Sequence, residues 1–196
     1  AKGYSVLCDV IAAVPGYEAR MNSFLDECPY SKLIPQLKFR HALSLFHSGN
    51  YPAALDMFDA VSVKMLYKSD RTSYLFSRAF CNLELNQYDL AYERFLEVFQ
   101  LPFSDYTAPS AYAMGYIRYV GRDFENALSW FEKSVKDGRF AAISNWYIVE
   151  CRFMIKDYLY VTNKGAAMYD SVPEERKPYL ARLISESYLV LGDAGN

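Results

Sequence analysis

"GRDFENALSWFEKSV" (residues 121–135) spaces an aromatic, a small and an aromatic residue as Phe124, Ala127 and Phe131. Intervals of three and then four residues place all three side chains on one face of an α-helix. The same spacing occurs in "GNYPAALDMFDAV" (49–61), as Tyr51, Ala54 and Phe58. It occurs again in "NQYDLAYERFLEV" (86–98), as Tyr88, Ala91 and Phe95. The three alanines lie 37 and 36 residues apart. Nine positions ahead of each leading aromatic stands another small residue, Ala42, Ala79 or Gly115. It marks where a preceding antiparallel helix comes close. Turn residues fill the interval, as in "SGN" (48–50) and "GRD" (121–123). The spacing predicts a series of helix–turn–helix units.

Composition agrees with helices joined by short connections. Nine glycines and eight prolines fall between apolar periodic runs, and aromatics are abundant at 18 Tyr, 13 Phe and 2 Trp. The 196 residues carry 21 basic and 23 acidic side chains, a net charge of −2. No Lys/Arg block supplies the basic footprint that nucleic acid or an anionic membrane surface requires. The most apolar stretch, "SVLCDVIAAV" (5–14), is too short to span a bilayer and lacks the order of a signal peptide.

Self-similarity at this period resembles the tetratricopeptide repeat (TPR) family, whose unit is a helix–turn–helix of about 34 residues. The resemblance covers nearly the whole chain. It divides the chain into units 1–34, 35–71, 72–107, 108–141, 142–177 and an incomplete 178–196. It implies an all-α, right-handed superhelical solenoid of antiparallel helix pairs forming one domain over 1–196. The match is strongest in the second helix of three units. The first unit keeps Tyr17 and Phe24 but has Arg20 at the small position, and the fifth keeps Tyr158 but has Val161 and Gly165 for Ala and Phe. The family's aromatic near the end of each first helix is replaced by Leu45, Asn82, Arg118 and Arg152. The family's clamp for chaperone carboxylates would need Lys, Asn and Arg where Phe39, Leu43, Ser77, Pro109 and Ala113 stand, so that ligand is not implied. The last unit, "YLARLISESYLVLG" (179–192), has no second helix. Its Leu183, Ile184, Leu189 and Leu191 are expected to be buried by a further repeat or another copy.

Two junctions, "CPYSKL" (28–33) and "LPFSDY" (101–106), resemble those of TPR proteins of the bacterial cell envelope, which would imply a periplasmic location. The same residues also read as a proline helix stop followed by a serine cap.

No motif for catalysis, phosphate binding or calcium occurs, so no enzyme, cofactor or metal is expected. His41 and His47, six apart, do not form an i, i+4 metal pair and are expected on the surface or in a groove. Cys8, Cys28, Cys81 and Cys151 have no zinc spacing and read as free, mostly buried thiols.

The expected function is a non-catalytic scaffold that binds a protein or peptide. A structural spacer, or a segment that assembles with copies of itself through the incomplete last repeat, is the alternative. The candidate groove is the stripe of first-helix residues Phe39, Leu43, Phe46, Phe76, Phe80, Tyr112, Tyr116, Tyr119, Trp146 and Phe153. Aromatics there would offer large contact area at small entropic cost. The other reading is that the same stripe is core, because aromatics at helical spacing also serve packing.

Overall fold

The computed structural model describes residues 2–193. Every regular element in them is a helix. The chain divides into two compact units, 1–102 and 103–196. The first holds α1 (Lys2–Ile11), α2 (Tyr17–Glu27), α3 (Ile34–His47), α4 (Tyr51–Asp59), α5 (Arg71–Glu84) and α6 (Tyr88–Phe99). The second holds α7 (Thr107–Val120), α8 (Phe124–Ser134) and α9 (Gly138–Met154), then α10 (Tyr158–Tyr160), a π turn (Val161–Gly165), α11 (Ala166–Met168) and α12 (Lys177–Asp193). Within the first unit α1 packs on α2 and α3, α3 on α4 and α5, α4 on α5, and α5 on α6. Within the second, α7 packs on α8 and α9, and the π turn sits between α9 and α12.

Four hairpins share one turn. Its last two residues are Gly49–Asn50, Asn86–Gln87, Arg122–Asp123 and Lys156–Asp157. The first of each pair has a left-handed backbone, with φ of 78°, 57°, 61° and 66°. The second caps the following helix, and its N–H donates back to the carbonyl five residues earlier at 2.8–2.9 Å. Asn50, Asp123 and Asp157 also accept a backbone N–H from three residues ahead, which satisfies an orphan donor of the helix start. Gln87 instead accepts from the Asn82 amide at 2.5 Å. Arg118 and Arg152, two of the residues at the positions where the resemblance expects an aromatic, reach the capping Asp123 and Asp157. Asn82, another of them, is fully buried between Gln87 and Arg94. The polar departures from the pattern thus fasten each first helix to its own turn.

The repeated triad is the packing seam. Ala54, Ala91, Ala127, Phe58, Phe95 and Phe131 are all fully buried, as are Ala42 and Ala79. A Cβ on the buried Gly115 would lie 2.8 Å from the Phe131 ring, so the smallest residue is required there. In the first hairpin Phe24 presses on Gly3 in the same way, also at 2.8 Å, five residues earlier than the repeat spacing places its small residue. Arg20, at the odd position of α2, is exposed and pairs with Asp9 at 2.8 Å. In the fifth unit Val161 is fully buried and the helix widens into the π turn. Gly165 there lets Ile184 and Leu180 of α12 approach.

Leu183 is therefore core and Ile184 packs against that core, so both are covered within this chain, where a further repeat or another copy was expected to cover them. The other two residues of that expectation, Leu189 and Leu191, are exposed, together with Tyr188 and Val190. His41 also departs from expectation. It is buried, and its Nδ1 lies 2.9 Å from the Tyr17 hydroxyl, whereas His47 is exposed. Of the cysteines, Cys81 and Cys151 are fully buried, Cys28 is half-buried and Cys8 is exposed, so only two are core residues.

Candidate interaction surface

The first-helix stripe divides between core and surface. Phe39 is fully buried among Phe58 and Tyr74, at centroid distances of 6.3 and 6.1 Å, and no partner can reach it. Trp146 is buried at 8% exposure. These two assignments to a groove are corrected. Each lies where its helix is covered by the next element. Leu43, Phe46, Phe76, Phe80, Tyr112, Tyr116, Tyr119 and Phe153 are half-buried, with one edge packed and another open.

In the first unit Phe46, Phe80, Phe76 and Phe95 form a chain of ring contacts at 5.5, 6.2 and 5.6 Å. Tyr51 closes on both Phe46 and Phe80. In the second unit the hub is Tyr147, which the sequence reading passed over. It stacks on Phe131 at 4.9 Å with an interplanar angle of 8°, and Tyr112, Tyr116 and Tyr119 lie within 6.2 Å of it. Edge-to-face and offset contacts of this kind add to the burial they accompany. Phe153 meets Tyr158 at 5.8 Å across the following turn.

Beside Tyr147 the helix turns in a carboxylate. Glu150 is buried at 7% exposure. Burial is the main influence on it and raises its pKa above the ordinary 4.5. The Tyr179 and Tyr119 hydroxyls and the Trp146 indole N–H donate toward it and pull the other way, as does the charge of Arg176. Tyr119, Trp146 and Tyr179 come from α7, α9 and α12, so one carboxyl gathers donors from three helices. Burial likewise pushes up the phenols of Tyr112, Tyr119 and Tyr147. The signal for Glu150 was present in the sequence as one acidic residue inside "WYIVECRFM" (146–154).

The two Pro–aromatic–Ser junctions build the same turn. Ser31 and Ser104 each accept a backbone N–H from two residues ahead at 3.3 Å, and each carbonyl accepts from three ahead. The serines cap this turn, one turn ahead of α3 and α7. The aromatic between proline and serine serves no packing role, since Tyr30 is 98% and Phe103 88% exposed. Among the described residues no three His, Cys, Asp or Glu side chains gather as metal ligands, and no helix is long and apolar enough to cross a membrane. Compared with protein-family models, with curated proteins and with solved structures, the chain matches none.

Proposed function

We propose that the chain is a tetratricopeptide-like array of helix hairpins that acts as a non-catalytic scaffold for a protein or peptide. Four hairpins with one turn geometry, three of them with the same aromatic–small–aromatic seam, support the array. Stacked units of this kind present extended surfaces for partners. The observation that carries the function is a half-buried cluster of first-helix aromatics in each of the two units. There Phe46, Phe80, Tyr112 and Tyr116 are fixed by ring contacts yet keep an open edge. Rings already held in place lose little entropy on binding. The cell envelope as its compartment is carried by the resemblance of the two junctions alone.

The test is a peptide-display selection against the intact chain. Selected peptides should lose at least tenfold in affinity to the Tyr116→Ser or Phe80→Ser variant. Helical content should be retained. Selection of nothing above background, or peptides that bind both variants unchanged, would remove the reading.

A second reading, self-assembly, is favoured by the exposed Tyr188, Leu189, Val190 and Leu191 of α12. Sedimentation analysis of the wild type and of Leu189→Lys tests it. An association that the substitution abolishes supports it, and a concentration-independent monomer rejects it.

A further inference from the structure

A cleft of about 250 Å³ opens beside Trp146, between α9 and the segment that joins α11 to α12. Its walls are apolar where Ile143, Met168, Val172 and Pro173 line it. Arg176 is the one ionised side chain among the described residues of the lining. Its guanidinium lies 4.9 Å from the Trp146 ring centre, which orients the group without using its N–H donors. Arg176 forms no salt bridge among the described residues. Glu150, buried below, feels its charge but already has the donors of Tyr179, Tyr119 and Trp146. The Ser171 hydroxyl gives its hydrogen to the Met168 carbonyl at 2.7 Å, which leaves the Asn145 amide as a second donor among the lining residues.

We propose that this cleft binds a small organic monocarboxylate. Its carboxylate would be held by Arg176 and Asn145, and its hydrocarbon part seated on Ile143, Met168, Val172 and Pro173. Charge decides the ligand's head. A guanidinium with free, planar donors matches a carboxylate, and a single cation matches a single negative charge. Size decides its tail. A cleft of about 250 Å³ suits a short-chain acid. This site is separate from the aromatic clusters and does not depend on the scaffold reading.

Trp146 reports on the cleft. The chain has two tryptophans, so Trp130→Phe leaves Trp146 as the sole indole. That protein is titrated with isocaproate and with its neutral isostere isocaproamide, following Trp146 emission. The acid should give a saturable change, and the amide should bind at least roughly tenfold more weakly. Adding Arg176→Gln should erase the difference between acid and amide, and Arg176→Lys should restore part of it. Circular dichroism monitors the fold. If Arg176→Gln loses helix, Asn145→Ala, at an exposed position, takes its place and should weaken binding of the acid, and unchanged acid binding by that variant would also overturn the proposal. Equal binding of acid and amide, no saturable response to either, or undiminished acid binding by a folded Arg176→Gln protein would overturn the proposal. So would capture of acetyl-glycyl-leucine without capture of isocaproate, which would make the cleft a seat for a peptide end.

Discussion

Gly115 stands where a side chain would meet Phe131 at 2.8 Å, and the ring cannot yield because Tyr147 stacks on its face. Gly115→Ala should therefore lower stability by ~1–3 kcal/mol, as overpacking of a filled core does. Thermal melts of the two proteins check this, and an unchanged melting temperature would show that Phe131 has room to move. Glu150 makes a prediction about pH. Its folded pKa lies above the ordinary value, so the folded state holds the proton more tightly than the unfolded chain. Its contribution is then most favourable below about pH 4.5 and is lost as pH rises through the elevated folded value. Gln keeps the shape without the charge. Glu150→Gln should melt higher than wild type at about pH 7, with the advantage shrinking toward zero at about pH 4. A gap that widens on acidification would reverse the assignment. At this scale the sequence was legible where one spacing repeats. Gly115, Ala79 and Ala42 could be read as contact points because each recurs ahead of the same aromatic. Glu150, Tyr147 and Arg176 occur once each, and only the fold brings them together.

The shared hairpin turn asks for a left-handed backbone one residue before each cap, yet only Gly49 is a glycine there. A side chain with a Cβ in that conformation costs roughly 1–2 kcal/mol. Lys156→Gly should therefore stabilise the chain by up to ~1 kcal/mol, less the entropy that glycine returns to the unfolded state, and Gly49→Ala should destabilise it by a similar amount. Chemical denaturation measures both, and shifts of the opposite sign would refute the turn assignment. The helices were readable from periodicity because their seams repeat. "GRD" marked a turn but not its geometry, since Gly121 has φ of −72° and Arg122 takes the left-handed position. The π turn was not readable. Val161 and Gly165 showed that the fifth unit is irregular. Within the widened turn Ile184 and Leu180 seat against Gly165, a contact between segments that sequence periodicity does not show.

For the whole molecule, four thiols sort by access. Cys81 and Cys151 are enclosed, and burial raises each thiol to about 12, so neither offers a thiolate to a reagent. An aromatic disulfide reagent should titrate Cys8 and Cys28 in the native protein, Cys8 first, and all four only in denaturant. Prompt reaction of a third thiol would mean that a core opens readily. The all-α character was legible across the described residues. The division after Pro102 was visible only as a junction, because a proline stop reads the same within one body as between two. The exposure of Phe103 on that junction has a consequence for digestion. A chymotrypsin-type protease needs an aromatic side chain on accessible chain outside a helix. Phe103, 88% exposed and between α6 and α7, meets both conditions. Brief treatment should nick the chain there and after Tyr30, which is 98% exposed between α2 and α3 and meets the same two conditions, and mass spectrometry should find cuts at Phe103–Ser104 and Tyr30–Ser31.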